Sequence, residues 1–165
     1  MAKQLLLIRH AKSDWGNADL RDFDRPLNKR GKANAPEMAN RLVKLKIVPD
    51  LIVSSPALRA FTTAKLFAAA WEIPENAIQK ESSIYEANVS ALINVINGLD
   101  NQFDRIALFG HNPGFTDLAN YLNGHIANMP TCSVVLFEFP FDDWSMVSAN
   151  TGEVLLFDYP KSGND

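Results

Sequence analysis

Two arginines and two histidines, spread over three short segments, are the residues here that could do chemistry together. Arg9 and His10 stand in Arg9-His10-Ala11-Lys12-Ser13, Arg59 in Ser54-Ser55-Pro56-Ala57-Leu58-Arg59-Ala60-Phe61-Thr62-Thr63, and His111 in Gly110-His111-Asn112-Pro113-Gly114. An imidazole is a nucleophile only when neutral, and a neighbouring guanidinium disfavours its protonation. Guanidiniums stay charged at any working pH, and their forked donors match phosphate far better than a single carboxylate. Gathered in one place, these cationic groups repel one another unless a dianion holds them. The chemistry implied is phosphoryl transfer, with a phosphoryl group in line above His10 and with Arg9, Arg59 and His111 stabilising charge on its equatorial oxygens. Alone, an Arg-His pair means no more than a surface cation beside a histidine; the combination carries the reading.

Such a site needs elements that bring distant segments together. Residues 5–8 (LLLI) form an unbroken apolar run, the pattern of a short strand buried on both faces, and Arg9 and His10 follow at its carboxyl end. Residues 50–54 and 105–109 repeat the pattern ahead of Arg59 and His111. In open α/β sheets, ligands bind just beyond the carboxyl ends of the strands. Three parallel neighbours would therefore place all four groups on one sheet edge.

The rest of the chain supplies the helices between them. Residues 11–28 are polar and without an evident element, long for a connector and therefore of functional interest, with Trp15 as a possible anchor. Asn28 caps a helix running to about Lys46, in which Pro36 should kink the helix or reset its start. Ser55 as N-cap and Pro56 as first helical residue open a helix to about Ala70, with Arg59 in its first turn. A brief strand at 78–80 and a helix at 89–98 follow. Asn112 and Pro113 then repeat the cap-and-proline start of a helix through Leu122. Strands are expected at 133–139, 144–147 and 153–158, with a hairpin turn at Asp142 and Asp143. The residues from 161 to 165 should fray.

Composition narrows the class. A chain of 165 residues with 47% hydrophobic and 21% charged residues fits one soluble globular domain. A net charge of -3 gives no nucleic-acid footprint, and the apolar run before Arg9 is too short for a signal core or a membrane span, so a cytoplasmic setting is expected. The single cysteine, Cys132, excludes an internal disulfide and every multi-cysteine metal site; beside a hydrophobic strand it reads as a buried spectator. His125 reads as an ordinary loop histidine. No cluster of metal ligands is apparent, and no cofactor is expected.

The three motifs together, in this order, resemble the histidine phosphatase superfamily, the phosphoglycerate mutase-like fold. The shortness of the chain and the stretch Asp24-Arg25-Pro26-Leu27-Asn28-Lys29-Arg30-Gly31 resemble its SixA-type phosphohistidine phosphatase branch. The likeness runs over roughly residues 4 to 160. It implies a single domain over residues 1–165 with an α/β, three-layer αβα sandwich, whose mainly parallel central sheet carries helices on both faces. It implies that His10 is the transiently phosphorylated nucleophile, that Arg9, Arg59 and His111 form the phosphate pocket, and that Arg25 adds a basic residue at its rim. Activity would then be metal-independent, on a phosphorylated substrate and foremost a phosphohistidine protein.

Two departures from the family's pattern matter. Ala11 stands where the superfamily usually has Gly, and Gly16 follows Trp15 where mutases commonly carry a phosphate-touching Asn, which argues against a mutase. Glu86 lies where many relatives carry an acidic residue and is either a proton donor or a structural cap, with Asp22 and Asp24 as the other acidic candidates. The rival readings are a metabolite phosphomonoesterase or mutase-like phosphotransferase, and a non-catalytic phosphate-recognition module.

Overall fold

Leu5, Leu6, Leu7 and Ile8 are fully buried because the strand that holds them is covered on both faces. In the computed structural model, which describes residues 2–160, β1 spans Gln4–Arg9 and lies inside a six-stranded sheet. Its companions are β2 (Leu51–Ser54), β3 (Gln79–Lys80), β4 (Arg105–Gly110), β5 (Val134–Glu138) and β6 (Glu153–Asp158), in the order β3-β2-β4-β1-β5-β6. The first four of these are mutually parallel; β5 runs antiparallel to β1 and β6 antiparallel to β5.

Among the described residues, four α-helices cover this sheet: α1 (Lys29–Lys44), α2 (Leu58–Ala70), α3 (Val89–Asn97) and α4 (Gly114–Tyr121). Side chains alternate across a strand, so Leu6 and Ile8 pack with Ala35, Met38, Phe67 and Ala68 of α1 and α2. Leu5 and Leu7 pack on the other face with Leu92, Ile96, Phe115 and Leu118 of α3 and α4. This is the expected three-layer αβα sandwich with a mainly parallel sheet.

Register aligns the ends that matter. Arg9 pairs with Gly110, Ser54 pairs with Phe109, and β4 lies between β2 and β1. The strands therefore finish level, and His10, His111 and Ser55 leave the sheet side by side.

Several local expectations are corrected. The second helix begins at Leu58 rather than at Pro56, because the Ser55 hydroxyl accepts the Ala57 N–H two residues on and closes a turn ahead of the helix. The fourth begins at Gly114; Asn112 still accepts from Thr116 N–H and hydroxyl, but Pro113 occupies the cap position. Pro36 does not reset the first helix, which runs through it, buried along Ala35, Met38, Ala39 and Leu42. Residues 144–147 are not a strand. Trp144–Met146 is a single 3-10 turn, because the Asp143 carboxylate accepts the Ser145 N–H and the Trp144 indole is buried with its Nε1–H donating to Phe103. The Asp142–Asp143 pair is consequently no hairpin turn, and residues 139–152 all lie between β5 and β6. The expected fraying of residues 161–165 lies outside the described residues.

Candidate active site

The Nδ1 atom of His10 lies 2.7 Å from the carbonyl oxygen of Ala11, a partner that can only accept. The neutral ring therefore carries its proton on Nδ1 and its lone pair on Nε2. Into that lone pair points the Arg59 Nε–H, 3.3 Å away. The next peptide is fixed as well: Ala11 N–H donates to Thr63 Oγ1, whose own proton goes to the Arg59 carbonyl. One turn of α2 thus holds both the candidate nucleophile and the cation above it.

His111 stands beside His10, with ring centroids 5.3 Å apart. Its Nε2 is 2.7 Å from the hydroxyl of Ser55, so the residue expected to cap a helix instead braces an imidazole. Its Nδ1 is buried without a hydrogen-bond partner among the described residues, as is Nε of Arg9. A second Arg9 nitrogen donates to the Met129 carbonyl, which anchors the side chain while leaving Nε directed elsewhere. Buried donors without partners are costly. The Arg9 Nε–H can only donate, so it is left in want of an acceptor beside the two imidazoles.

Burial sets the ionisation of both rings. His10 and His111 are each brought down to about 3, foremost because burial penalises the charged form. His111 and Arg59 add repulsion at His10, and Arg59 adds it at His111. The neutral imidazole expected from a neighbouring arginine is thus present, but desolvation is the larger cause.

The carboxylate that balances the cations is Asp22, in the 3-10 turn Asp22–Asp24 of the long polar loop. Arg59 donates to both its main-chain carbonyl (2.7 Å) and its Oδ2 (3.0 Å). Arg25 donates to its Oδ1, and the Tyr85 hydroxyl to its Oδ2 at 2.6 Å. These bonds hold Asp22 at about 2, the Tyr85 hydroxyl contributing most and the two guanidiniums after it. The cations accordingly do not wait on a dianion alone for cohesion. In the sequence, Asp22 is only one of several acidic candidates. The usable signal was the Asp22-x-x-Arg25 spacing inside a loop too long to be a mere connector.

A cavity of about 850 Å³ gathers Arg9, His10, Arg25, Arg59, Glu86 and His111. Arg25 lines the cavity and is itself only 7% exposed, fixed by Ser13 Oγ at 2.6 Å and covered by the Trp15 ring, whose centroid is 3.5 Å from the guanidinium carbon. Trp15 does anchor the loop, through that stack, while staying exposed itself. Glu86 lines the cavity at the surface with a φ of 57° and is no helix cap, because Asn88 caps α3 through Ala91 N–H. Asp24 is paired with exposed Arg21 and lies apart from the site. His125 is an exposed loop residue and Cys132 is buried. No group of three or more His, Cys, Asp or Glu among the described residues could hold a metal ion.

Comparison with known proteins agrees with this geometry. A family profile described as the histidine phosphatase superfamily (branch 1) matches residues 5–93. An uncharacterized chloroplastic protein of Arabidopsis thaliana is 32% identical over 160 residues, covering 92% of this chain and 73% of that protein. A crystal structure from Agrobacterium tumefaciens, provisionally assigned as a phosphohistidine phosphatase SixA, is 25% identical with a TM-score of 0.79, over 97% of this chain and 99% of that one. A protein histidine phosphatase SixA complexed with tungstate shares the fold at a TM-score of 0.80 and 22% identity, over 95% of this chain and 97% of that one.

Proposed function

This chain belongs to the histidine phosphatase superfamily, and from that premise we propose that it is a protein phosphohistidine phosphatase acting through a phosphoryl group carried on His10. The observation that carries the proposal is the orientation of His10, whose Nε2 lone pair stands in a cavity with the unpartnered Nε–H of Arg9 and the unpartnered Nδ1 of His111. In the first step this lone pair attacks phosphorus and the bond from phosphorus to the substrate imidazole breaks; that ring, protonated from solvent on its other nitrogen, keeps the electron pair and leaves as neutral imidazole. Water then attacks phospho-His10, releasing inorganic phosphate and restoring the neutral ring. Arg9, Arg59 and His111 hold the phosphoryl oxygens throughout.

The choice of a phosphoramidate over a phosphomonoester rests on the acids at hand. Asp22, held at about 2, is ionised at neutral pH and cannot protonate an alkoxide leaving group. Glu86 is exposed at the cavity wall rather than fixed beside His10. An imidazole leaving group makes the smaller demand, and transfer to His10 exchanges one P–N bond for another. The likeness to the Agrobacterium structure, itself provisionally assigned as a phosphohistidine phosphatase, supports the same reading. A cytoplasmic setting belongs to this proposal too; no helix of the described residues is long and apolar enough to cross a membrane, while the Arabidopsis relative is chloroplastic.

The deciding experiment compares kcat/KM on a phosphohistidine peptide with a panel of small phosphomonoesters, including phosphoglycerates. Rapid acid-free quench should trap phosphate on wild-type protein but not on His10→Ala. A hundredfold preference (about 2.7 kcal/mol) for any phosphomonoester would replace this reading with a metabolite phosphatase.

A further inference from the structure

The charged residues that line the cavity come from two sides. Arg9, Lys12, Arg25 and Arg59, with Asp22 paired to the last two, come from β1, the long loop and α2, whereas Glu86 and Asp117 come from the segment before α3 and from α4. Asp117 sits in the first turn of α4 and makes no hydrogen bond or ion pair through its carboxylate among the described residues. It also lines a second hollow, of about 520 Å³, whose other residues are Val89, Ser90, Ile93 and Tyr121. The two hollows thus adjoin at one carboxylate.

The second hollow has a definite chemical shape. Val89 and Ile93 are one turn apart on α3, and Asp117 and Tyr121 are one turn apart on α4. Each pair therefore spans about 6 Å along its helix. The walls are apolar, Tyr121 being 39% exposed, and the single charge is the unpaired carboxylate at the end nearer the catalytic cavity. A long alkyl stem that ends in a cation matches that combination: the stem covers apolar surface while the head pairs with the carboxylate. In an extended polypeptide, side chains two positions apart lie about 7 Å apart on the same side. Because Asp117 lines both hollows, neighbouring side chains of one extended polypeptide can enter the two at once.

We infer that the α3–α4 hollow is a subsite for a lysine or arginine flanking the phosphorylated residue of a polypeptide substrate. The inference rests on the phosphatase reading for the occupant of the main cavity. It adds a charge rule that the catalytic residues do not contain: the phosphate must be followed outward by positive charge. Substrates with a second anionic group next to the phosphate meet Glu86 and Asp117 and are disfavoured.

The test uses phosphohistidine peptides identical except for lysine or glutamate at each position within two residues of the phosphohistidine. For each pair, the lysine-to-glutamate ratio of kcat/KM is measured on wild-type protein and on Asp117→Asn and Asp117→Lys. Fluorescence anisotropy gives the same ratio for binding to His10→Ala protein, where no turnover is needed. At one position the ratio should be about fivefold or more in the wild type, fall to near one in Asp117→Asn, and invert in Asp117→Lys. Tyr121→Ala should weaken binding of the lysine peptide more than of the glutamate peptide. A ratio near one at every position, or a ratio untouched by the Asp117 substitutions, overturns the subsite. If the wild type releases no phosphate from any peptide, the phosphatase reading falls instead, and the binding ratio still decides the subsite.

Discussion

The Nε–H of Arg59 points at the Nε2 lone pair of His10 across 3.3 Å, while the other two nitrogens of the same guanidinium hold Asp22. A planar fork of donors is needed for that double engagement, and phosphoryl transfer to Nε2 requires Arg59 to pass its Nε–H from the lone pair to a phosphoryl oxygen. Arg59→Lys keeps the charge and loses the fork. Single-turnover measurements should show phosphoryl transfer slowed by about a hundredfold or more, with the fold intact by circular dichroism. A rate within tenfold of wild type would mean that Arg59 acts as a point charge and that its two-sided geometry is incidental.

The buried imidazoles tie stability to pH. His10 and His111 titrate near 3 when folded against about 6.5 when unfolded, so the unfolded chain binds their protons first as pH falls. Their neutral, buried state costs nothing in proton binding above pH 6.5, and stability is lost progressively from there down towards pH 3. Between pH 7.5 and 5.5 the loss should reach at most about 1.4 kcal/mol per ring. Asp22, lowered to about 2, loses its contribution only below pH 4 and leaves this window unaffected. Urea denaturation at the two pH values should show the drop in wild type and a smaller one in His10→Gln/His111→Gln; equal drops would show that the rings titrate normally.

If Arg59 holds phosphate as proposed, Asp22, which already takes two of its nitrogens, is a rival for it. Asp22→Asn keeps the shape, removes the negative charge from the pocket, and leaves buried Arg59 and Arg25 less well compensated. Two opposite effects are expected. The free protein should lose about 1–2 kcal/mol of stability, and inorganic phosphate should bind about fivefold more tightly. Calorimetric titration with phosphate beside denaturant melts separates them. Weaker phosphate binding in the variant would make Asp22 a partner of the bound anion rather than its rival.

Much of this site was legible because a cation or imidazole directly after an apolar run is a local pattern. Leu5 to Ile8 announces a strand, and strand ends in a parallel sheet are where side chains converge, so His10, Arg59 and His111 could be assembled without coordinates. Ser55 illustrates what was not legible. Its sequence context, Ser-Pro before a helix, is that of a cap, but His111 competes for its hydroxyl from 56 residues away. Asp22 and Tyr85 meet across 63 residues for the same kind of reason: their contact depends on how the long loop lies over the sheet edge. At Trp144 the error had another source. An aromatic beside apolar residues suits a strand or a buried plug equally, and the Asp143 side chain decided for the plug by taking the Ser145 N–H. Long-range partners of polar side chains have no periodicity to betray them.

The orientation of His10 depends on a glycine that never touches it. Gly31 lies in the first turn of α1, with its N–H donating to the Asn28 cap, and Asn28 N–H in turn donates to the Lys12 carbonyl. A Cβ at Gly31 would overlap that carbonyl oxygen and stand 2.9 Å from the Lys12 nitrogen. The Lys12 nitrogen belongs to the same peptide unit as the Ala11 carbonyl that accepts from His10 Nδ1. On an exposed helix, Gly→Ala stabilises by about 1 kcal/mol. Here it should destabilise by about 1–3 kcal/mol, because the obstacle is backbone and cannot rotate away. It should also lower kcat by displacing the carbonyl that fixes the His10 tautomer. Gly98→Ala is the control: it ends α3, away from the cavity, and its added Cβ would meet nothing nearer than 3.6 Å. Melting curves and kcat for the two variants should part clearly, with Gly31→Ala less stable and slower and Gly98→Ala unchanged in rate. A Gly31→Ala protein that melts higher than wild type with unchanged kcat would show that the segment after His10 yields freely, and that α1 has no part in aiming the nucleophile.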